Sequence, residues 1–246
     1  LGSFIASYLT AIIFSFFTYN FIVKKFQIIP TIQKIIAPTK FLKLITINFN
    51  LFLRTLVLTF SFLWISYMGT KLGEDFLAVN TILMQFIIFS AFLLDAYAYT
   101  TEGIVGYSIG KKNKKSFFLA VKNSIELSFF SALIISILYL IFFKEIINII
   151  TDIEILRYIS YKHAIWIIII PPIASFCYQL DGIFIGASQT SDMRNATIFA
   201  SIAFIILSIY STKYFGNHGI WLSLLMFMLL RSLSLTFLID KITKKL

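Results

Sequence analysis

Charge is scarce in this sequence. Charged residues make up 13% of its 246 positions and hydrophobic types 59%, where soluble domains carry roughly 25% and 45–50%. A soluble globule of this composition would lack the polar surface needed to stay in solution, so that class is excluded. Cysteine occurs once, at Cys177, which rules out an internal disulfide or a four-thiolate metal site and says nothing of redox compartment. Histidine occurs only at His163 and His218, in different segments, and neither an HExxH-type ligand spacing nor a Walker-type glycine-rich loop is present. A metal centre, an organic cofactor, a catalytic residue and an ATP-driven pump are therefore not expected, and the chain is read as no enzyme. Acidic residues are also few, 11 against 21 Lys and Arg, for a net charge of +10. The lysines flank apolar stretches, so the excess is read as an orientation signal and not as a nucleic-acid surface.

What the sequence has instead is long apolar runs. They cover residues 3–23, 45–67, 77–109, 117–143, 158–187, 195–213 and 219–240, each near or above the roughly 20 residues that cross a ~30 Å hydrocarbon layer. The expected fold is an all-α integral membrane protein of about seven transmembrane helices. Its loops are too short for an attached soluble domain, so any site must lie inside the bundle. Lys24, Lys25, Lys34, Lys40 and Lys43 form one basic cluster and Lys111, Lys112, Lys114 and Lys115 another, with Arg194, Lys241, Lys244 and Lys245 on the same side. The intervening loops carry Glu74, Asp75, Glu145, Asp152 and Glu154. The signs alternate at every loop, which predicts a multi-pass protein of the cell (inner) membrane with basic loops and C-terminus in the cytoplasm and residue 1 outside. The chain starts Leu1-Gly2-Ser3 without Met or a signal peptide, so a fragment is expected. Between Lys25 and Ile45, Pro30, Pro38 and an apolar set at Ile28, Ile29, Ile32, Ile35 and Ile36 suit an interfacial linker helix or a basic loop. The boundary between residues 1–23 and a six-helix unit, 45–246, is placed in this segment, 24–44.

Ionisable groups inside spans are costly in lipid and mark candidate sites. Here they are Arg54, Asp95, Glu102, Glu126, Asp181 and Arg231; Lys162 and His163 are expected to snorkel at an outer helix end. Asp95 and Glu102 are seven residues apart, nearly one helix face and about 10 Å along the axis, with Tyr99 between them. An inward carboxylate stripe can bind a cation or take up a proton, because desolvation penalises the bare anion; alternatively Glu102 already reaches the interface. Pro171 and Pro172 sit mid-span and predict a kink or break. Asp181 follows, ahead of Gly182 and Gly186, a small-xxx-small pair that permits close helix contact. Arg54 and Arg231 beside these acids suggest internal ion pairs with Asp181, Arg54 first, because an unpaired charge in hydrocarbon is far costlier. Asn80, Gln85 and Gln179 add uncharged positions that can contact a ligand or tie helices together. The 28 Phe and 12 Tyr face lipid or fill the core, and some can line a pocket for flat organic cations.

The blocks Asn50-Leu51-Phe52-Leu53-Arg54-Thr55, Gly73-Glu74-Asp75-Phe76-Leu77-Ala78-Val79-Asn80, the run from Leu94-Asp95 to Glu102-Gly103, Leu180-Asp181-Gly182-Ile183-Phe184-Ile185-Gly186-Ala187, Asp192-Met193-Arg194-Asn195 and Gly219-Ile220-Trp221-Leu222 occur in that order. Together they resemble the multidrug and toxic compound extrusion (MATE) family, in its DinF-like branch, with Ala96 where that branch usually has Gly. The resemblance implies two six-helix lobes around a central cavity, residues 1–23 being the last helix of an N-terminal lobe missing from this chain and 45–240 the C-terminal lobe. It implies an antiporter that exports small organic, often cationic compounds in exchange for H+ or Na+, and it places Arg54, Asp95, Glu102 and Asp181 at motif positions without transferring a coupling role to any of them. A lipid-linked oligosaccharide flippase of the same superfamily, needing a strongly cationic cavity, is the alternative transporter; a seven-helix receptor or membrane enzyme is the alternative outside transport.

Overall fold

The computed structural model describes residues 2–26 and 38–244, nearly all of them helical. The helices are α1 (Gly2–Phe26), α2 (Pro38–Leu72), α3 (Glu74–Gly110), α4 (Lys114–Ile150), α5 (Glu154–Gly186), α6 (Thr190–Phe215) and α7 (Asn217–Thr243). All seven are long and apolar enough to cross a membrane. They are longer than the apolar runs alone predict: α3 and α4 have 37 residues each, about 55 Å at 1.5 Å per residue. Hydropathy marks only the part that matches the hydrocarbon layer, whereas helical hydrogen bonding continues into flanks rich in Lys, Glu and Asn. The interfacial helix expected between Lys25 and Ile45 falls largely on residues 27–37, outside the described residues, and α2 already begins at Pro38.

The chain divides into two compact units, Leu1–Thr46 and Ile47–Leu246. In the first, α1 exposes apolar side chains all round, among them Phe4, Leu9, Ile12, Phe16 and Phe17, the pattern of a helix solvated by lipid, and it ends on Lys24 and Lys25. In the second unit α5 is central. It packs on α3, α4 and α7, while α7 packs on α6 and α4 on α3. Short turns join the helices. Gly73 (φ 123°) and Gly216 (φ 55°) occupy left-handed conformations between α2 and α3 and between α6 and α7, which glycine adopts without a Cβ penalty. Asn113 caps α4, its side-chain oxygen accepting from the Ser116 N–H at 3.0 Å.

The double proline does not break α5, which runs continuously from Glu154 to Gly186. Pro172 cannot donate to the Ile168 carbonyl one turn earlier; Ser136 of α4 donates its hydroxyl to that carbonyl instead, at 2.7 Å. A neighbouring helix thus satisfies the freed acceptor, as a membrane interior requires. Further along, α5 meets α3 backbone to backbone. A Cβ at Gly182 would collide with the Ala98 carbonyl, and one at Gly186 with the Glu102 carbonyl.

The buried apolar residues fall into two clusters. One is built around Leu83, Phe86, Leu94, Ile167, Trp221 and Phe227, the other around Val105, Phe117, Ile183, Phe184, Met193 and Leu235. Between them, Asp95 and Glu102 follow Leu94 and precede Val105 on α3, Asp181 lies between Cys177 and Ile183 on α5, and Arg231 lies between Met228 and Leu235 on α7. A polar belt therefore separates two apolar layers within the second unit.

Candidate functional site

Three helices build the centre of that belt. Asp181 is 5% exposed and Arg231 2%. One carboxylate oxygen, Asp181 Oδ2, accepts from Nη2 of Arg54 at 2.5 Å and from Nη2 of Arg231. Asp181 thus holds both arginines, not Arg54 alone. Arg231 also lies 5.6 Å from the Phe227 ring centroid, within cation–π range. The second oxygen of Asp181 and the Nε groups of both arginines are buried without a partner among the described residues, so polar capacity remains inside the cluster.

A cavity of about 110 Å³ opens beside it, lined by Arg54, Asp95, Ala98, Tyr99, Glu102, Tyr178, Asp181, Gly182 and Ile185. The carboxyl stripe of α3 reaches this cavity because Ala98, between Asp95 and Glu102, is the residue against which Gly182 is pressed. Asp95 lies in the field of Asp181, Arg54 and Arg231. Three carboxyl groups stand against two guanidinium groups, Asp181 binds both, and Asp95 and Glu102 form no salt bridge among the described residues. Tyr99 presents an exposed ring at the rim.

The other positions named from the sequence lie elsewhere. Asn80 is buried and exchanges hydrogen bonds with Asn217 at 2.7 and 2.9 Å, and it accepts from the Trp221 indole at 2.9 Å; it clamps α3 to α7. Gln85 is exposed on α3 and borders a groove of about 260 Å³ with Phe86, Phe89, Tyr139, Ile146 and Ile150. Glu126 is exposed and pairs with Lys122 one turn away, at 3.8 Å. Gln179 is fully buried and accepts from the Thr101 hydroxyl at 2.7 Å. His163 does not snorkel: it is 3% exposed, because its polar edge turns back to its own helix. Lys162, its neighbour, is exposed over the Tyr158 ring.

Tyr178 and Ala98 were missed in the sequence. The signal for Ala98 is present, since Ala98 and Glu102 repeat the four-residue spacing of Gly182 and Gly186 that they meet. At the basic end, Asn50 of α2 donates to Thr190 at 3.3 Å and accepts from Arg194 at 2.6 Å, and Lys241 pairs with Asp192 at 3.0 Å. The Asp192–Asn195 block thereby joins α2, α6 and α7. Among the described residues, no cluster of three or more His, Cys, Asp or Glu side chains is arranged to hold a metal ion.

The MatE family model matches residues 50–210, and the chain belongs to that family of membrane transporters. DNA damage-inducible protein F of Escherichia coli (strain K12) is 34% identical over 195 residues, which are 79% of this chain and 42% of that protein. Protein DETOXIFICATION 43 of Arabidopsis thaliana is 23% identical over 234 residues, 95% of this chain and 44% of its own length. The chain thus spans less than half the length of these curated relatives. Among solved structures, the outward-facing conformation of a multidrug resistance MATE family transporter of the MOP superfamily aligns with a TM-score of 0.74 at 18% identity, over 80% of this chain and 44% of the other. A MATE protein in its bent conformation aligns with a TM-score of 0.73 at 16% identity, over 91% of this chain and 48% of the other. At these identities the likeness shows the fold: a multi-pass, all-helical MATE-type bundle.

Proposed function

We propose that this chain supplies the C-terminal six-helix lobe, with the helix preceding it, of a secondary antiporter that exports small organic, often cationic compounds in exchange for H+ or Na+. In this reading residues 1–23 close the missing N-terminal lobe, 24–44 form the cytoplasmic linker and 45–246 the transport lobe, inserted in the inner membrane with its basic loops facing the cytoplasm. The observation that carries it is the cavity between membrane-length helices, where Asp95 and Glu102 stand beside an Asp181 already bound by two arginines. Charge within a spanning helix is tolerated only where it pairs or works. Asp181, Arg54 and Arg231 are the fixed part of the site, and Asp95 and Glu102 the exchangeable part. An oligosaccharide flippase would need a cationic cavity to receive pyrophosphate, and here carboxyl groups outnumber the arginines.

The test is export by the whole protein in everted membrane vesicles. Uptake of a fluorescent organic cation driven by an imposed H+ or Na+ gradient supports the reading and identifies the ion. Uptake indifferent to both gradients contradicts it.

A further inference from the structure

At the end of the bundle opposite the Lys111–Lys115 loop, the two histidines of the chain meet. His163 of α5 and His218 of the first turn of α7 stack with ring centroids 4.1 Å apart and planes 19° from parallel. Their hydrogen bonds fix where the protons sit. His163 Nδ1 lies 2.7 Å from the Ile159 carbonyl, which can only accept, so Nδ1 carries the hydrogen. Nε2 then holds the lone pair, buried and without a partner among the described residues. His218 Nδ1 accepts from the Trp166 indole N–H at 2.9 Å, and an indole can only donate, so this nitrogen must be unprotonated. Both rings are neutral, and each nitrogen that could take a further proton is badly placed to hold it.

We propose that the His163–His218 pair is a proton-operated lock on the first turn of α7, engaged while both rings are neutral and released when either is protonated. A proton on His218 would enter at Nδ1 and set donor against donor at Trp166. A proton on His163 would enter at Nε2, where no acceptor waits. Either places a cation against a stacked ring beside Lys162, the charged group that acts on both imidazoles. From α3 the side chain facing His163 is the Phe76 edge, with centroids 6.5 Å apart. Glu74 and Asp75 in the first turn of α3 and Glu154 at the start of α5 form no salt bridge with either ring among the described residues. On α4, Lys144 lies over the Tyr161 ring, and Lys213 at the end of α6 is exposed. Among the described residues no carboxylate therefore forms a salt bridge with either ring. The locked turn also carries Asn217 and precedes Trp221, the two partners of Asn80. Release would loosen α7 from α5 and strain its clamp to α3. Because α7 also bears Arg231, the lock governs the helix that completes the polar belt, whatever compound is carried.

Hydrogen exchange of residues 214–224, measured on the protein in lipid nanodiscs from pH 8 to pH 5 and corrected for intrinsic exchange, tests this. The open fraction should rise about tenfold per pH unit below the first titration midpoint, as uptake of one proton on opening demands. His163→Phe with His218→Gln keeps a flat ring and an acceptor for Trp166 but removes both titrations, and should flatten the response. Trp166→Phe removes the donor that opposes a proton on His218 in the closed turn, so the rise of exchange with falling pH should shrink. Exchange of 214–224 independent of pH, or an unchanged slope in the double variant, overturns the lock. If the double variant does not fold, 15N imidazole spectra of the unaltered protein decide: both rings protonating without faster exchange of this segment overturns it as well.

Discussion

Removing Asp181 should destabilise the bundle more than removing either arginine's single contact, and the geometry ranks the costs. Arg231 is 2% exposed and Asp181 5%, and both sit between two apolar clusters. Asp181→Asn would strand Arg231 there with only the Phe227 face and a neutral amide, and breaking a buried pair in this way costs roughly 3–5 kcal/mol. Arg231→Met strands Asp181 less completely, since Arg54 still binds the same oxygen. Arg54→Gln should cost least, about 1.5–3 kcal/mol for one charge-assisted hydrogen bond, because Asp181 keeps Arg231. The double variant Asp181→Leu with Arg231→Met should recover much of the loss, since replacing a buried pair by apolar residues is often near neutral and Arg54, 17% exposed in its side chain, can turn to Asp95 across the cavity. Unfolding free energies measured by steric trapping in bicelles would give these differences directly. A double variant as unstable as the worse single, or an Asp181→Asn variant within about 1 kcal/mol of the parent, would refute the ion-pair account.

The glycine seam gives a second set of outcomes. Gly182→Ala should lower the melting temperature of the purified protein, its new methyl meeting the Ala98 carbonyl at a cost of roughly 1–3 kcal/mol. Gly103→Ala, on the same stretch of α3 with nothing within 4 Å of the added carbon, should be neutral or mildly stabilising. For topology, single cysteines at Asn113 and Glu74 in an otherwise cysteine-free protein should label from opposite sides of the membrane, Asn113 from the cytoplasm. Labelling of Asn113 from outside would invert the orientation drawn from the lysine loops.

Much of this was legible in the sequence because membrane helices announce themselves by composition. Seven apolar runs became seven helices among the described residues, and of the charges named inside those runs Arg54, Asp95, Glu102, Asp181 and Arg231 gather in the polar belt, whereas Glu126 faces outward beside Lys122. The close pairing of α3 and α5 could be anticipated on one side only: Gly182 and Gly186 signal a close approach, and the matching spacing of Ala98 and Glu102 gains its meaning only once the structure shows which helix they meet. Helix ends were under-read because hydropathy reports bilayer thickness and not where helical hydrogen bonding stops. Of the kink or break expected at Pro171 and Pro172, the break does not occur. Pro172 predicts a lost hydrogen bond, which is real, but Ser136 on another helix supplies the donor, so no break follows. His163 was placed at a wet helix end by its neighbour Lys162, whereas its bond to Ile159 and its stack on His218 turn it inward.

Whether Asp95 and Glu102 act as the exchanging acids of an ion-coupled exporter, as proposed, is decided by gradient-driven uptake of a fluorescent organic cation into proteoliposomes of the whole protein. Asp95→Asn and Glu102→Gln would be compared with the parent at equal reconstituted amounts and equal melting temperatures. Asp95→Asn, alone or with Glu102→Gln, should lower the initial rate at least tenfold, about 1.4 kcal/mol of lost coupling, while insertion and stability hold. Parent-like rates in the double variant would contradict it and leave the polar belt a purely structural feature.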